Sequence, residues 1–329
     1  MTGLSTWLFI LVCELLLVDG TVDAQNTEPR RPDPETAHDP SAVIVENGTP
    51  RLLCTGWGLQ VKKETADGRW LTEAALFSRE QRPSWHAELV PENRGHLWAP
   101  DILRTEQRLL VYYSVSSFGK NTSAIGLVEG KTLDPNSDDW HWKDRGPVLR
   151  SQKTDRFNAI DPAVFAAPDG RLWMSFGSFW DGIHLVELNP RTGLQKDPLA
   201  TPLRVAWSPE IEAPFLTYRN GWYYLFVNHG KCCRGVDSTY EILVGRSQSI
   251  TGPYLDDQNH SLLDSGGRSV LTTHQQWIGP GHASLLDRDG TQWLVHHYYD
   301  KELHGKSRIR MLPLTWDDRG WPKVTQPTP

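Results

Sequence analysis

A pattern that occurs five times constrains the fold of this chain more than any other feature of its sequence. In each copy a polar or aromatic head residue is followed by small residues or proline, and then by an apolar run. The copies span residues 39–44, 98–103, 161–165, 212–216 and 282–286, and their head residues are Asp39, Trp98, Asp161, Glu212 and His282. They start 51 to 70 residues apart. Self-similarity at this period, with several strands in each unit, is typical of a β-propeller, and five copies predict five blades.

The segments between these copies also have the pattern of short strands. Clusters of Gly, Asn, Asp and Pro separate apolar or alternating runs, such as those at 108–114, 171–176 and 291–296. Asn220-Gly221 stands between two such runs and is a strong hairpin signal. The spacing at 69–76 could hold about one turn of helix. We therefore predict an all-β fold in which residues 38–329 form a single five-bladed β-propeller.

The N-terminal residues have the composition of an export signal. Residues 4–18 are mostly apolar and Ala24 is a small residue at the end of the segment. We interpret 1–24 as a signal peptide and predict a secreted, extracellular protein. Residues 25–37 are rich in Pro, Arg, Asp and Glu without apolar periodicity, which is typical of a polar linker.

The composition limits the kinds of partner that this protein can bind. Its formal net charge of −6 gives no electrostatic basis for binding nucleic acid or an anionic membrane. The sequence contains no uncharged apolar run of about 18 residues, so no membrane span is predicted. Its 15 tryptophans offer large amphipathic faces, which suit an aromatic core and also stacking on sugar rings. We expect a monomer.

Three cysteines remain once the predicted signal peptide is removed. Cys54 lies in an apolar stretch and is predicted to be a buried thiol. Cys232 and Cys233 are adjacent and lack the CxxC spacing of zinc and redox sites, so they could form a vicinal disulfide or stay reduced. Glycosylation sequons, which are compatible with a secretory protein, begin at Asn47, Asn121 and Asn259.

The head residues of the repeat carry the chemistry. The first strand of each propeller blade lies nearest the central channel, so the five heads would meet at one mouth of that channel. Carboxylates that face each other across a sugar-sized opening suit glycoside hydrolysis, in which one is protonated and the other ionised. A third carboxylate can raise the pKa of the acid by repulsion between like charges. The pattern alone does not assign these parts among Asp39, Asp161 and Glu212.

A set of short motifs makes the interpretation specific. They are His38-Asp39-Pro40, Trp98-Ala99-Pro100-Asp101, Ser116-Ser117-Phe118-Gly119, Asn158-Ala159-Ile160-Asp161-Pro162, Gly177-Ser178-Phe179-Trp180, Glu212-Ala213-Pro214-Phe215, Cys232-Cys233-Arg234-Gly235, Ser238-Thr239-Tyr240 and Gly279-Pro280-Gly281-His282. With these motifs the chain resembles glycoside hydrolase family 43, and within it the endo-1,5-α-L-arabinanases. The resemblance covers nearly all of residues 38–324.

This resemblance implies an inverting hydrolase that acts on arabinan, a side chain of pectin. It implies that Asp39 is the general base, that Glu212 is the general acid and that Asp161 tunes the pKa of Glu212 and orients it. It also implies that His282, together with waters, holds a calcium ion on the propeller axis. Substrate contacts are implied for Asp39, Gly119, Asn158, Ala159, Ile160, Asp161, Ser178, Phe179 and Trp180. A role for Trp98 as a stacking platform comes from its place among the heads of the repeat.

Two other functions stay open at this point. An exo-acting arabinofuranosidase or a xylosidase of the same family would carry the same three carboxylates, and the products formed from linear arabinan would distinguish them. A non-catalytic carbohydrate-binding propeller belongs to a different class. Such a lectin would typically have lost one of the three carboxylates, whereas this chain keeps Asp39, Asp161 and Glu212.

Overall fold

The computed structural model describes residues 33–326, and within them it confirms the predicted five-bladed β-propeller. The predicted signal peptide (1–24) and most of the predicted linker lie outside the described residues. Within the described part of the chain, no helix has the length and apolar character needed to span a bilayer.

Each blade is one antiparallel sheet whose strands follow the chain outward from the axis. Blade 1 contains β1 (Ile44–Glu46), β2 (Thr49–Cys54), β4 (Gln60–Glu64) and β5 (Trp70–Ala75), while the short β3 (Gly56–Trp57) pairs with the first strand of blade 2. Blade 2 contains β6 (His96–Arg104), β7 (Leu109–Val115), β8 (Ser123–Gly130) and β9 (Lys143–Ser151). Blade 3 contains β10 (Ala163–Ala166), β11 (Leu172–Phe176), β12 (Ile183–Leu188) and β13 (Leu203–Ala206).

The last two blades have the same order. Blade 4 contains β14 (Ile211–Arg219), β15 (Trp222–His229), β16 (Glu241–Ser247) and β17 (Arg268–Leu271). Blade 5 contains β18 (Trp277–Arg288), β19 (Thr291–Asp300), β20 (Lys306–Trp316) and β21 (Pro322–Val324). One short helix, α1 (Trp85–Leu89), precedes blade 2, and single 3₁₀ turns occur at Gly235–Asp237 and Leu262–Asp264.

Tight turns join the first two strands of three blades, as the sequence predicts. The turn residues are Asn47-Gly48, Asn220-Gly221 and Asp289-Gly290, and all six have positive φ. This conformation matches the twist of the flanking strands and favours Asn, Asp and Gly. The helical turn expected at 69–76 is wrong, because Trp70–Ala75 is the outer strand of blade 1. In so short a segment, the helical period of 3.6 residues and the strand period of two residues cannot be told apart.

An apolar core lies between each pair of neighbouring blades. The second strand of each blade contributes side chains to the cores on both sides of that blade, because successive side chains of a strand point in opposite directions. In blade 1, Leu52 packs toward blade 5 and Leu53 toward blade 2. In blade 4, Tyr224 packs toward blade 5 and Leu225 toward blade 3. These strands therefore carry apolar residues at successive positions, such as Leu52 and Leu53 in β2 and Tyr224 and Leu225 in β15. The predicted buried thiol of Cys54 is confirmed, since it lies in the core between blades 5 and 1.

Residues 34–37 bind to the outer part of the ring, although their composition is that of a linker. The N–H of Ala37, which is 1% exposed, donates to the carbonyl of Ser307 in blade 5 at 3.2 Å. The ammonium of Lys62 in blade 1 donates to the carbonyls of Pro34 at 2.9 Å and Thr36 at 2.5 Å. These bonds link the segment to blades 1 and 5.

Candidate active site

The same backbone feature stands at the inner strand of every blade. One residue there has a left-handed conformation, and the five are Asp39 (φ 50°), Ala99 (43°), Asp161 (55°), Ala213 (51°) and His282 (58°). The strand ladder is irregular at this point in blades 2, 4 and 5. Non-glycine residues with positive φ cluster at functional sites, and bulges redirect side chains there.

Side chains of the preceding blade hold most of these residues in place. The N–H of Asp39 donates to Nδ1 of His297 at 3.2 Å, and the N–H of His282 donates to Oδ1 of Asn228 at 2.8 Å. Two hydroxyl groups accept the others. The N–H of Ala99 donates to the hydroxyl of Thr55 at 2.8 Å, and the N–H of Asp161 donates to the hydroxyl of Ser114 at 2.9 Å. In each case the acceptor comes from the second strand of the neighbouring blade or the residue just after it. Contacts between blades therefore determine the geometry at the channel mouth.

The predicted register of the repeat is wrong by one residue in two blades. Asp39, Asp161 and His282 occupy the left-handed position itself, whereas Trp98 and Glu212 precede it. Proline follows the left-handed residue in blades 1 to 4, so an alignment on the prolines gives the right register. The predicted register was wrong because it aligned the head residues by the chemistry of their side chains and not by the prolines that follow the left-handed position.

Asp39 is surrounded by a hydroxyl and three imidazoles. Its Oδ2 accepts a hydrogen bond from the hydroxyl of Thr55 at 2.6 Å, and its Oδ1 lies 2.8 Å from Nδ1 of His38. The same Oδ1 lies 3.5 Å from Nδ1 of His282 and 3.7 Å from Nδ1 of His297. Both carboxylate oxygens are thus held in place.

These neighbours keep Asp39 ionised. Burial alone would raise the pKa of Asp39, but the charge and the hydrogen bond of His38 hold that pKa well below its usual value. Burial lowers the pKa values of His282 and His297, so these two imidazoles are neutral at neutral pH. Burial also opposes the charged form of His38, yet the adjacent Asp39 carboxylate raises the pKa of His38.

Glu212 has a different set of neighbours. Its Oε2 accepts a hydrogen bond from the hydroxyl of Ser178 at 2.7 Å, and its Oε1 accepts one from the hydroxyl of Tyr240. Only 8% of the residue is exposed. This burial raises the pKa of Glu212 to about 7, against the lowering effect of Ser178 and with a further rise from the charge of Asp39. Glu212 can therefore hold a proton at neutral pH.

Asp161 lies near enough to Glu212 to interact with it by charge, and it contacts the backbone beside it. Burial raises the pKa of Asp161, and so do the nearby charges of Glu212 and Asp39. Its Oδ2 accepts the N–H of Ala213 at 3.2 Å, and Ala213 directly follows Glu212 in the chain. Because each of the two buried acids disfavours ionisation of the other, the pair retains a proton.

The predicted substrate contacts fall into a buried group and an exposed group. Asn158, Ala159 and Ile160 are all buried, and Asn158 accepts a hydrogen bond from the hydroxyl of Ser123 at 2.7 Å. Gly119 (φ 73°) and Trp180, which is 42% exposed, lie at the surface, and Phe179 is half-buried. Trp98 is half-buried, with its indole N–H bonded to Nδ1 of His96 at 2.9 Å. Ser178 contacts Glu212 directly.

Several residues at the site were not assigned roles from the sequence. They are Thr55, His297 and Tyr299, together with His38 and Tyr240, which belong to the motifs of the sequence but have no predicted role. The tandem His296-His297 is a polar interruption of the apolar run 293–299 and could have indicated an inward-facing site residue. Thr55 carries no such signal, because its contact with Asp39 comes from the fold.

The residues around His282 do not form a calcium-binding shell. Calcium takes about six to eight oxygen ligands. Among the described residues, the donor atoms that come together here are those of His38, Asp39 and His297, all within 4.8 Å of one another, and His282 adds a further imidazole. This set contains one carboxylate and is otherwise nitrogen. A calcium ion here would take nearly all its ligands from water.

Comparison with known proteins agrees with this geometry. The family model for glycosyl hydrolases family 43 matches residues 34–322. An extracellular exo-α-(1→5)-L-arabinofuranosidase of Cellvibrio japonicus is 40% identical over 88% of this chain and 86% of its own length. An extracellular endo-α-(1→5)-L-arabinanase of Bacillus subtilis is 40% identical over 88% and 87%. The structure of Cellvibrio cellulosa α-L-arabinanase complexed with arabinohexaose superposes with a TM-score of 0.83 at 38% identity, covering 89% of this chain and 96% of that one. The protein thus belongs to glycoside hydrolase family 43.

Proposed function

We propose that this protein is a secreted endo-arabinanase that hydrolyses internal α-1,5-L-arabinofuranosidic bonds of arabinan with inversion. The observation that carries the proposal is the pair of unlike carboxyl groups at one mouth of the channel. Asp39 is held ionised by His38, whereas burial raises the pKa of Glu212 to about 7. Inverting glycosidases need one acid and one base of this kind.

The proposed reaction is a single displacement. A water molecule attacks the anomeric carbon while the glycosidic C–O bond breaks. Asp39 takes a proton from the water, and Glu212 gives its proton to the departing sugar oxygen. The two protons are then exchanged with solvent, which restores the starting state. Asp161 keeps the proton on Glu212 and fixes its backbone through Ala213.

Endo action is the finer part of the proposal. It rests on the motifs in the sequence and on the endo-arabinanase of B. subtilis, while the exo-acting relative of C. japonicus is equally similar and makes exo action the second candidate. Hydrolysis of debranched linear arabinan, sampled early, separates the two. Oligomers of intermediate length support endo action, whereas release of one short product from the start rules it out.

Secretion is supported by the predicted signal peptide and by the relatives that are named extracellular. Expression of the full chain in a secreting host, followed by N-terminal sequencing of the protein from the medium, tests it, and we expect the mature chain to begin at Gln25. Arabinan is the proposed partner, and we expect a monomer in light scattering. Because the residues near His282 leave calcium to be held by water, no step is assigned to that ion.

Proton NMR of the first products tests the mechanism. Inversion of an α-linkage must give β-configured reducing ends before mutarotation, and α-configured ends would contradict it. A non-catalytic lectin would bind arabinan without producing new reducing ends.

A further inference from the structure

A chain of hydrogen bonds leads from the loop of Cys232 and Cys233 to the carboxylate of Asp39. The two cysteines are joined by a disulfide. The backbone N–H of Cys233 donates to the hydroxyl of Tyr299 at 2.7 Å, and this hydroxyl lies 2.6 Å from Nε2 of His38. Nδ1 of His38 lies 2.8 Å from Oδ1 of Asp39.

The direction of this chain follows from its donors and acceptors. An ionised carboxylate only accepts hydrogen bonds, so Nδ1 of His38 carries a hydrogen and donates it to Asp39. The Cys233 N–H occupies one lone pair of the Tyr299 oxygen. In neutral His38 the phenol hydrogen therefore points to Nε2, and in charged His38 Nε2 donates to the phenol oxygen. Either form aims the same ring edge at Asp39.

The members of the chain are held rigidly and come from three parts of the ring. Tyr299 is 3% exposed and lies in β19 of blade 5, and Cys233 lies in the loop after β15 of blade 4. The His38 ring stacks on His297, with centroids 4.0 Å apart and planes at 26°. His297 is fully buried and itself accepts the N–H of Asp39. The imidazole of His38 therefore has little freedom to turn.

We propose that His38 and Tyr299 are positioning residues that aim the carboxylate of Asp39 at the attacking water. The inference rests on the proposed role of Asp39 as the general base. His38 fixes Oδ1 while Thr55 fixes Oδ2, so the plane of the carboxylate is set from both sides. Since both nitrogens of His38 are used in this chain, we do not interpret His38, Asp39 and His297 as a metal site.

The first test removes the tyrosine hydroxyl and keeps the ring. In Tyr299→Phe we expect kcat on arabinan to fall between about tenfold and about a hundredfold with KM unchanged, the range for one hydrogen bond in a network with a charged group. The neighbouring Tyr298→Phe is the matched control, because its hydroxyl contacts Asp300 at 3.4 Å and not the site. It should keep wild-type kcat. Equal kcat in Tyr299→Phe and the wild type overturns the proposal.

The second test changes His38. His38→Ala should lose more activity than Tyr299→Phe, and His38→Asn should recover part of the loss, because its side-chain amide can donate from near the position of Nδ1. Thermal unfolding of each variant separates this effect from misfolding. A His38→Asn variant no better than His38→Ala, with both folded, contradicts an orienting hydrogen bond.

An activated substrate shows which carboxyl group this series of hydrogen bonds positions. A dinitrophenyl α-arabinobioside has a leaving group that needs no proton, so loss of the acid matters less on it, while loss of the base matters as before. We expect Tyr299→Phe and His38→Ala to stay impaired on it and Glu212→Gln to recover. Recovery of the Tyr299 and His38 variants would overturn the proposal. Failure of the proposed function shows in the wild type, which would then hydrolyse neither substrate, and that result also overturns this inference.

Discussion

Asp39, which is half-buried, and Glu212, which is buried, are carboxyl groups at the same mouth of the propeller, and they differ in what donates to them. Asp39 lies among the imidazoles at the junction of blades 5 and 1, whereas Glu212 accepts hydrogen bonds from the neutral hydroxyls of Ser178 and Tyr240. A neighbour that can carry positive charge favours the ionised form, and a hydroxyl does so much less. Burial then dominates at Glu212 and raises its pKa, while His38 outweighs burial at Asp39. The residue types alone do not separate the proposed base from the proposed acid, but their neighbours do.

Removing either carboxylate should have the largest effect on kcat, and the two variants should separate the role of Asp39 from that of Glu212. We expect Asp39→Asn and Glu212→Gln each to lower kcat on arabinan by about a thousandfold, within the range for general acid and base catalysis. On the dinitrophenyl substrate Glu212→Gln should regain most of its activity and Asp39→Asn should not. Recovery of Asp39→Asn instead would reverse the assignment of base and acid.

Asp161 should have the next largest effect, on the acid side alone. Asp161→Asn keeps an oxygen for the N–H of Ala213 but removes the second acid of the pair. The proton that the pair retains should then be lost at lower pH, so less Glu212 is protonated at pH 7. A fall of one to two units from about 7 in the pKa of Glu212 lowers its protonated fraction at pH 7, and with it kcat, by about fivefold to about fiftyfold. In the pH–rate profile the alkaline limb should move to lower pH. An unchanged limb would show that Asp161 does not act on Glu212 through charge.

The sequence predicted the blade count, the hairpin turns and the three carboxylates, because each has a local signal. Asn220-Gly221 indicates its turn directly, and Asp161-Pro162 marks the start of an inner strand. It could not predict that Thr55 would contact Asp39, since this bond depends on how β2 ends beside the axis. It also aligned Glu212 with Asp39 because both are acids, although Ala213 is the structural equivalent.

Ser178 offers a smaller change on the acid side. Its hydrogen bond to Glu212 lowers the pKa of that group, so Ser178→Ala should raise the pKa and move the alkaline limb of kcat upward, by about one pH unit at most. The acid limb belongs to Asp39, whose pKa lies below its usual value, and it should not move. Ser175→Ala is the matched control, because its hydroxyl is buried in the same blade and lies 3.5 Å from the carbonyl of Ala163. A downward shift of the alkaline limb would contradict the assignment of that limb to Glu212.

Asp101 tests whether a buried carboxylate near the axis must take part in the chemistry. It lies two residues after Ala99, and its two oxygens accept the N–H groups of Ala42 in blade 1 at 3.2 Å and Val164 in blade 3 at 2.8 Å. In Asp101→Asn one of these N–H groups would face an amide that only donates, which costs about 1–3 kcal/mol in the free energy of unfolding. Calorimetry should therefore show a Tm lower by about 2–4 °C for each kcal/mol, while kcat of the folded enzyme stays near the wild-type value. A fall in kcat as large as that of Asp161→Asn, at unchanged Tm, would instead place Asp101 with the carboxyl groups that carry the reaction.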